Sequence, residues 1–255
     1  MIPLAFFALV FLLSIPLWAI GGATGIEMFP GLPVSALQAF CPAIAATILV
    51  YREKGRAGAL ILMKRAFDYK RIRGKMWYIP IVILMPLVMF SSYWLMRALR
   101  MPLPGANIPV IAIPVMLLAF FIAAVGEELG WTGYAIEPIE RRWNAPTAGI
   151  VLGVVWAVWH IVPYMQAHRA PRWIVWQCLF TVALRVLLVW IYVSAGRSVF
   201  AVALTHAMAN VSMFLFPNLG SHYDPLVTCL VIAPCSILSF ISLNRKRISR
   251  SIDNV

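Results

Sequence analysis

Eight long apolar runs, at about 3–20, 34–51, 76–96, 108–129, 147–165, 173–194, 198–216 and 225–243, leave this chain few ways to fold. Each approaches the ~20 residues an α-helix needs to cross a bilayer, about twice what a spanning strand needs. Inside lipid every backbone N–H and C=O must find its partner within the protein, which helices achieve segment by segment. The sequence therefore predicts an all-α fold, a polytopic membrane helical bundle of about eight transmembrane helices, with 1–255 as a single membrane domain. Composition agrees: 62% of residues are hydrophobic and 12% charged, where soluble domains are about half apolar and about a quarter charged. The first run lacks a basic segment ahead of its apolar core, so it reads as a retained span and not as a cleaved signal.

The net charge of +12 is carried by the connections between runs. The connection 52–75 holds nine basic residues, and the tail "NRKRISR" holds four. Together with Arg141, Arg142 and Arg197 they make 16 on one side, against Arg97, Arg100, Arg169 and Arg172 on the other. By the positive-inside bias both termini are expected to be cytoplasmic, in a multi-pass protein of the cell membrane. Such scattered charge forms no basic face for nucleic acid. Within 52–75 apolar and basic residues alternate, which suits a segment lying along an anionic inner leaflet, with membrane lipids as partners.

Cys41, Cys178, Cys229 and Cys235 lie in apolar segments without CxxC spacing and read as small buried hydrophobes. Trp77, Tyr78, Trp143, Trp173 and Tyr223 stand near run ends and read as an interfacial belt. His168 and His222 fall in short connections and are expected to be exposed.

Few ionisable residues remain at membrane depth: Glu127, Glu128, His160, Arg185 and His206. A charge at bilayer depth costs at least about 2.5 kcal/mol and is usually functional. Glu127 and Glu128 differ by about 100° around a helix, so one is expected to react while its neighbour pairs or orients. His206 and Asn210 are four apart and share one helical face. A carboxylate and an imidazole can hold a water and take its proton. An imidazolium or amide N–H aimed at a carbonyl oxygen can stabilise the oxyanion that follows. These are the parts of hydrolytic acyl transfer, and no cofactor is called for. The same residue types can bind zinc, but no HExxH occurs and adjacent glutamates are awkward for shared ligation, so zinc is the lesser alternative. Arg185 is open to two readings, snorkelling to the surface or neutralising a buried carboxylate. Pro163, near His160, is the proline best placed to shape the site. Glu137, Glu140, Arg141 and Arg142 are expected to form solvated i, i+4 pairs.

The stretches "EELGWTG", "VVWAVWHIVPY" and "HAMAN" together resemble the CPBP intramembrane proteases, the CAAX-protease and Abi group that includes type II CAAX prenyl endopeptidases. The resemblance covers a core of about 120–216. It implies an intramembrane glutamic endopeptidase acting on a peptide or protein substrate, lipidated in the CAAX-processing branch. Glu127 and His160 would activate water, Glu128 would support, and His206 and Asn210 would bind the oxyanion. The family pattern places an arginine four residues after the second glutamate, where this chain has Thr132, and Arg141, Arg142 or Arg185 are the candidates to replace it. Trp156 stands where phenylalanine is more usual. Two other readings compete: a non-catalytic immunity or scaffold protein with a degenerate site, and a proton-coupled transporter. One expectation is geometrically awkward. His160 lies about 20 Å along its helix and His206 about 13 Å along its own, both measured from the same side, so the two imidazoles should not be level.

Overall fold

The computed structural model describes residues 3–105 and 110–252, with side chains as far as Arg245. The start of the 108–129 run and the tail residues Lys246, Arg247 and Arg250 lie outside that description. Helix dominates, as the runs require: α1 (Leu4–Thr24), α2 (Cys41–Lys64), α3 (Tyr78–Ala98), α4 (Ile113–Gly130), α5 (Ile136–Arg142), α6 (Ala145–Gln166), α7 (Pro171–Ser194), α8 (Val199–Phe214) and α9 (Pro225–Ile252). The only sheet among the described residues is a two-stranded antiparallel pair, Glu27–Phe29 with Leu32–Pro33. Seven helical stretches are long and apolar enough to cross a membrane, and α8 is a shorter apolar helix. The chain is a multi-pass membrane protein.

Its polarity is inverted relative to a soluble fold. Leu12, Leu87, Phe90, Val115, Leu118 and Ile122 face outward, while Glu127, Glu128, Arg185 and His206 are buried. Tight packing at glycine brings the helices carrying those groups together. A methyl on Gly130 would stand 2.5 Å from the backbone of Pro42, and one on Gly126 would stand 2.7 Å from the Ala39 carbonyl oxygen. Gly149 and Gly153 meet Val186 and Val182 of α7 in the same way. Small residues four apart permit the close backbone approach on which helices in lipid depend.

α4 does not stop where its apolar run stops. A π-helical turn, Trp131–Ala135, joins it to α5, so the glutamates sit in mid-rod, as their late position in the run suggested. Such single π-turns are frequent at functional sites. In α6, Pro163 has no N–H to give the Trp159 carbonyl; the Gln38 amide approaches that oxygen instead, at 3.5 Å.

The connection between α2 and α3 departs from a simple surface loop. Gly55 (φ 64°) breaks α2, and the chain then turns in short 3-10 segments through Arg65–Phe67, Tyr69–Arg71 and Lys75–Trp77. Arg65 points inward, donating to the carbonyl oxygens of Gly133 (3.0 Å) and Arg197 (3.1 Å) and to the Tyr192 hydroxyl (2.8 Å). Asp68 Oδ1 accepts from the Ser198 hydroxyl (2.8 Å) and the Phe200 N–H (3.0 Å), capping α8. Because α8 starts beneath this connection, with Ser198 and Val199 fully buried, it can be shorter than its neighbours.

Two expectations need correction. Glu140 does not pair within its own helix: it binds Arg197 through two nitrogens at 2.6–3.0 Å, because the α7–α8 turn packs against α5. Burial would lower the Arg197 guanidinium, but the Glu140 carboxylate beside it holds it above its ordinary range. Tyr223 is buried against Trp173, Phe180 and Phe216 and not part of an exposed belt, and that burial pushes its phenol well above the usual value.

Candidate active site

The two glutamates diverge as their 100° separation requires. Glu128 is fully buried. Its Oε2 accepts from the Arg185 guanidinium at 2.7 Å and from the Thr132 hydroxyl one turn along, and its Oε1 faces His206 Nδ1 at 3.0 Å. The Arg185 alternatives are thereby decided: it neutralises a buried carboxylate, with both side chains 0% exposed. Thr132, which stands at the position of the family arginine, contributes a hydrogen bond to the same oxygen. Gly153 makes this approach possible, since a methyl there would stand 3.2 Å from Arg185 Cβ.

Glu127 turns toward α6 and keeps 5% exposure. Its Oε2 accepts from the Trp156 indole N–H at 2.6 Å, and its Oε1 has no hydrogen-bond partner among the described residues. The Trp156 ring is the hub of the cluster. Arg185 Cζ lies 4.0 Å over its face, and the rings of His206 and His160 stand edge-on at 5.1 and 5.4 Å. Both histidines thus reach one indole, although helix lengths alone predict that they are not level. The deep start of α8 brings His206 there.

His160 Nδ1 lies 2.9 Å from the Trp156 carbonyl oxygen, one turn back in its helix. A carbonyl only accepts, so Nδ1 carries the proton, and in the neutral ring Nε2 is left as a free lone pair. Trp159 packs edge-on against the ring and Tyr164 stacks on it, fixing its plane. Asn210 stands one turn beyond His206 on the same face of α8, partly buried, and takes part in no hydrogen bond among the described residues. Four of the five candidate side chains thus share one contiguous cluster, with Asn210 beside it.

Sequence reasoning missed the role of Trp156, which served there only as the aromatic ahead of a histidine. The signal available was an indole N–H in an all-apolar helix, a donor that needs a partner in lipid. Among the described residues, no three His, Cys, Asp or Glu side chains stand close enough to share a metal ion. Glu128 is already held by a guanidinium, a poor neighbour for a cation. The donor set does not fit zinc.

Residues 109–212 match the family model described as Type II CAAX prenyl endopeptidase Rce1-like. That stretch contains all five candidate residues. The chain is 25% identical over 243 residues to CAAX prenyl protease 2 of Methanococcus maripaludis, covering 84% of each protein. It is also 25% identical over 269 residues to Lysostaphin resistance protein A of Staphylococcus haemolyticus, covering 98% of this chain and 69% of that one.

Proposed function

We propose that this chain is an intramembrane endopeptidase that hydrolyses a peptide bond with a water activated by Glu127 and His160. The observation that carries the reading is the asymmetry of the glutamate pair. Glu128 has both oxygens occupied, by Arg185, Thr132 and His206. Glu127 is oriented through one oxygen only, so the other can bind and polarise water.

A water between Glu127 Oε1 and His160 Nε2 gives its proton to this pair as its oxygen attacks the carbonyl carbon. Collapse of the tetrahedral intermediate breaks the C–N bond, and the same proton passes to the leaving amine. The negative oxygen formed in between is met from α8. His206 donates through Nδ1 to Glu128, so it offers a second N–H at Nε2 only as an imidazolium, with Glu128 as its counter-ion. The Asn210 amide one turn away supplies another donor. Burial of the cluster strengthens each of these electrostatic contacts. Thr132 does not favour a degenerate site, because Arg185 holds Glu128.

The family match and the similarity to CAAX prenyl protease 2 support a substrate class: a peptide tail presented at the membrane, prenylated or carrying another apolar anchor. The test is cleavage of a farnesylated CAAX-tailed peptide, and of its unlipidated twin, by the chain in liposomes, with products identified by mass. Glu127→Ala and His160→Ala are each expected to lower kcat by about 10²–10⁴-fold, the range for loss of a general base. His206→Ala is expected to lower it by about 10²–10³-fold, as for one oxyanion donor. A Glu127→Ala protein that cleaves at the parent rate overturns the assignment.

A further inference from the structure

The segment 56–77, from the part of α2 beyond the Gly55 break to the start of α3, has two faces with different tasks. Its outer face exposes Leu60, Ile61, Met63 and Phe67, with Ile61 and Phe67 each 67% exposed, interleaved with the exposed basic residues Lys64, Lys70 and Arg71. Large apolar side chains set among lysines and arginines suit the boundary between headgroups and acyl chains. They do not suit a nucleic acid or an acidic soluble protein, which would leave Ile61 and Phe67 in water.

The inner face of the same segment grips both halves of the candidate site. Arg65 holds the carbonyl of Gly133 in the π-turn that follows Glu127 and Glu128. Asp68 caps α8 through Ser198 and Phe200, about two turns ahead of His206. The Arg73 N–H donates to the Ala195 carbonyl at 3.1 Å. Gly196 packs so closely under Arg71 that a methyl there would stand 2.0 Å from its carbonyl oxygen. The Glu128–His206 contact therefore bridges two elements that are clamped from outside by one short segment.

We propose that the 56–77 connection is a clamp seated by anionic phospholipid headgroups, and that its seating sets the spacing of Glu128 and His206. The effect on catalysis rests on the protease reading; the lipid seating does not. Arg65 and Asp68 act here as positioning residues, since neither reaches the reacting groups.

The experiment compares the full chain in phosphatidylcholine vesicles with the chain in phosphatidylcholine–phosphatidylglycerol vesicles, by hydrogen–deuterium exchange and by cleavage of the farnesylated peptide. Anionic lipid is expected to slow amide exchange across 65–73 and 196–200 by about fivefold for each basic side chain it engages. Peptide turnover is expected to rise in the same vesicles. The variant Lys64→Gln/Lys70→Gln/Arg71→Gln should lose both differences while keeping its turnover in neutral lipid, and Asp68→Ala should keep the slowed exchange at 65–73 but lose the gain in turnover. Equal exchange in the two lipids overturns the proposal. Lipid-dependent exchange with lipid-independent turnover overturns the coupling to the site. Lipid-dependent exchange with no turnover in any vesicle supports the seating and removes the protease reading instead.

Discussion

Glu128 and Arg185 illustrate how a membrane interior can hold full charges. Neither is exposed, and bringing each out of water is expensive, so the pair persists because each ion's desolvation is offset by the other and by the flanking Thr132 and His206. Removing one partner strands the other. Arg185→Ala should destabilise the protein by about 3–5 kcal/mol, the range for breaking a buried pair, measured as a lowered thermal transition in detergent. The double change Arg185→Leu/Glu128→Leu should recover most of that stability but none of the peptidase activity, because His206 then lacks its counter-ion. Recovered activity in the double variant would show that Glu128 only packs. At this scale the sequence was partly legible. Five ionisable residues in apolar runs announce a buried polar cluster, because lipid tolerates them only in company. Which of them touch was not legible: helical periodicity fixes the angle between Glu127 and Glu128 but not the neighbours each one meets. Sequence alone allows Arg185 either to snorkel or to neutralise a carboxylate; the α6–α7 packing at Gly153 places it on Glu128.

Among the elements, the helix runs were written plainly in hydropathy, while their depth and spacing were not. The close approach of α4 to the start of α2 depends on Gly126 and Gly130, whose missing side chains leave no mark in an apolar profile. Gly130→Ala puts a methyl against backbone atoms of Pro42 at 2.5 Å, and backbone cannot rotate away. Overpacking of this kind typically costs about 1–3 kcal/mol, and here the shift would also displace Glu127 and Glu128. Gly133→Ala is the matched control, since its methyl's one tight contact would be the end of the Leu62 side chain, at 3.1 Å, with the nearest backbone atom at 3.6 Å. The expected result is a lower thermal transition and reduced turnover for Gly130→Ala, and a clearly smaller effect for Gly133→Ala. Equal effects would mean that close helix approach does not set the site. The connection 52–75 was read as a basic surface strip, and its outer face fits that reading. Its inward Arg65 and Asp68 were not foreseen, because their partners, Gly133, Tyr192, Arg197, Ser198 and Phe200, are far away in sequence.

For the whole molecule, helix length bears on how the bundle crosses the bilayer. Seven stretches have spanning length, and α8 is the exception; its 16 residues reach only about 24 Å at 1.5 Å per residue, against a hydrocarbon core of about 30 Å. If α8 failed to cross, the termini would lie on opposite sides. Its buried N-terminus argues otherwise. α8 begins with Ser198 and Val199 fully buried beneath the 65–77 segment, as expected of a short helix that crosses with that segment packed over its start. Charge bias points the same way. Two of the sixteen basic residues on the heavier side, Arg65 and Arg197, are bound within the protein, yet the excess over the four on the other side survives without them. Reporter fusions that are active only in the cytoplasm, or only outside it, should place both termini in the cytoplasm and a reporter inserted at 167–170 outside. Termini on opposite faces would make α8 a re-entrant helix. The clamp and the anionic inner leaflet would still meet, but Asn210 and the oxyanion side of the site would then have to be reached from the same face as Glu140 and Arg197.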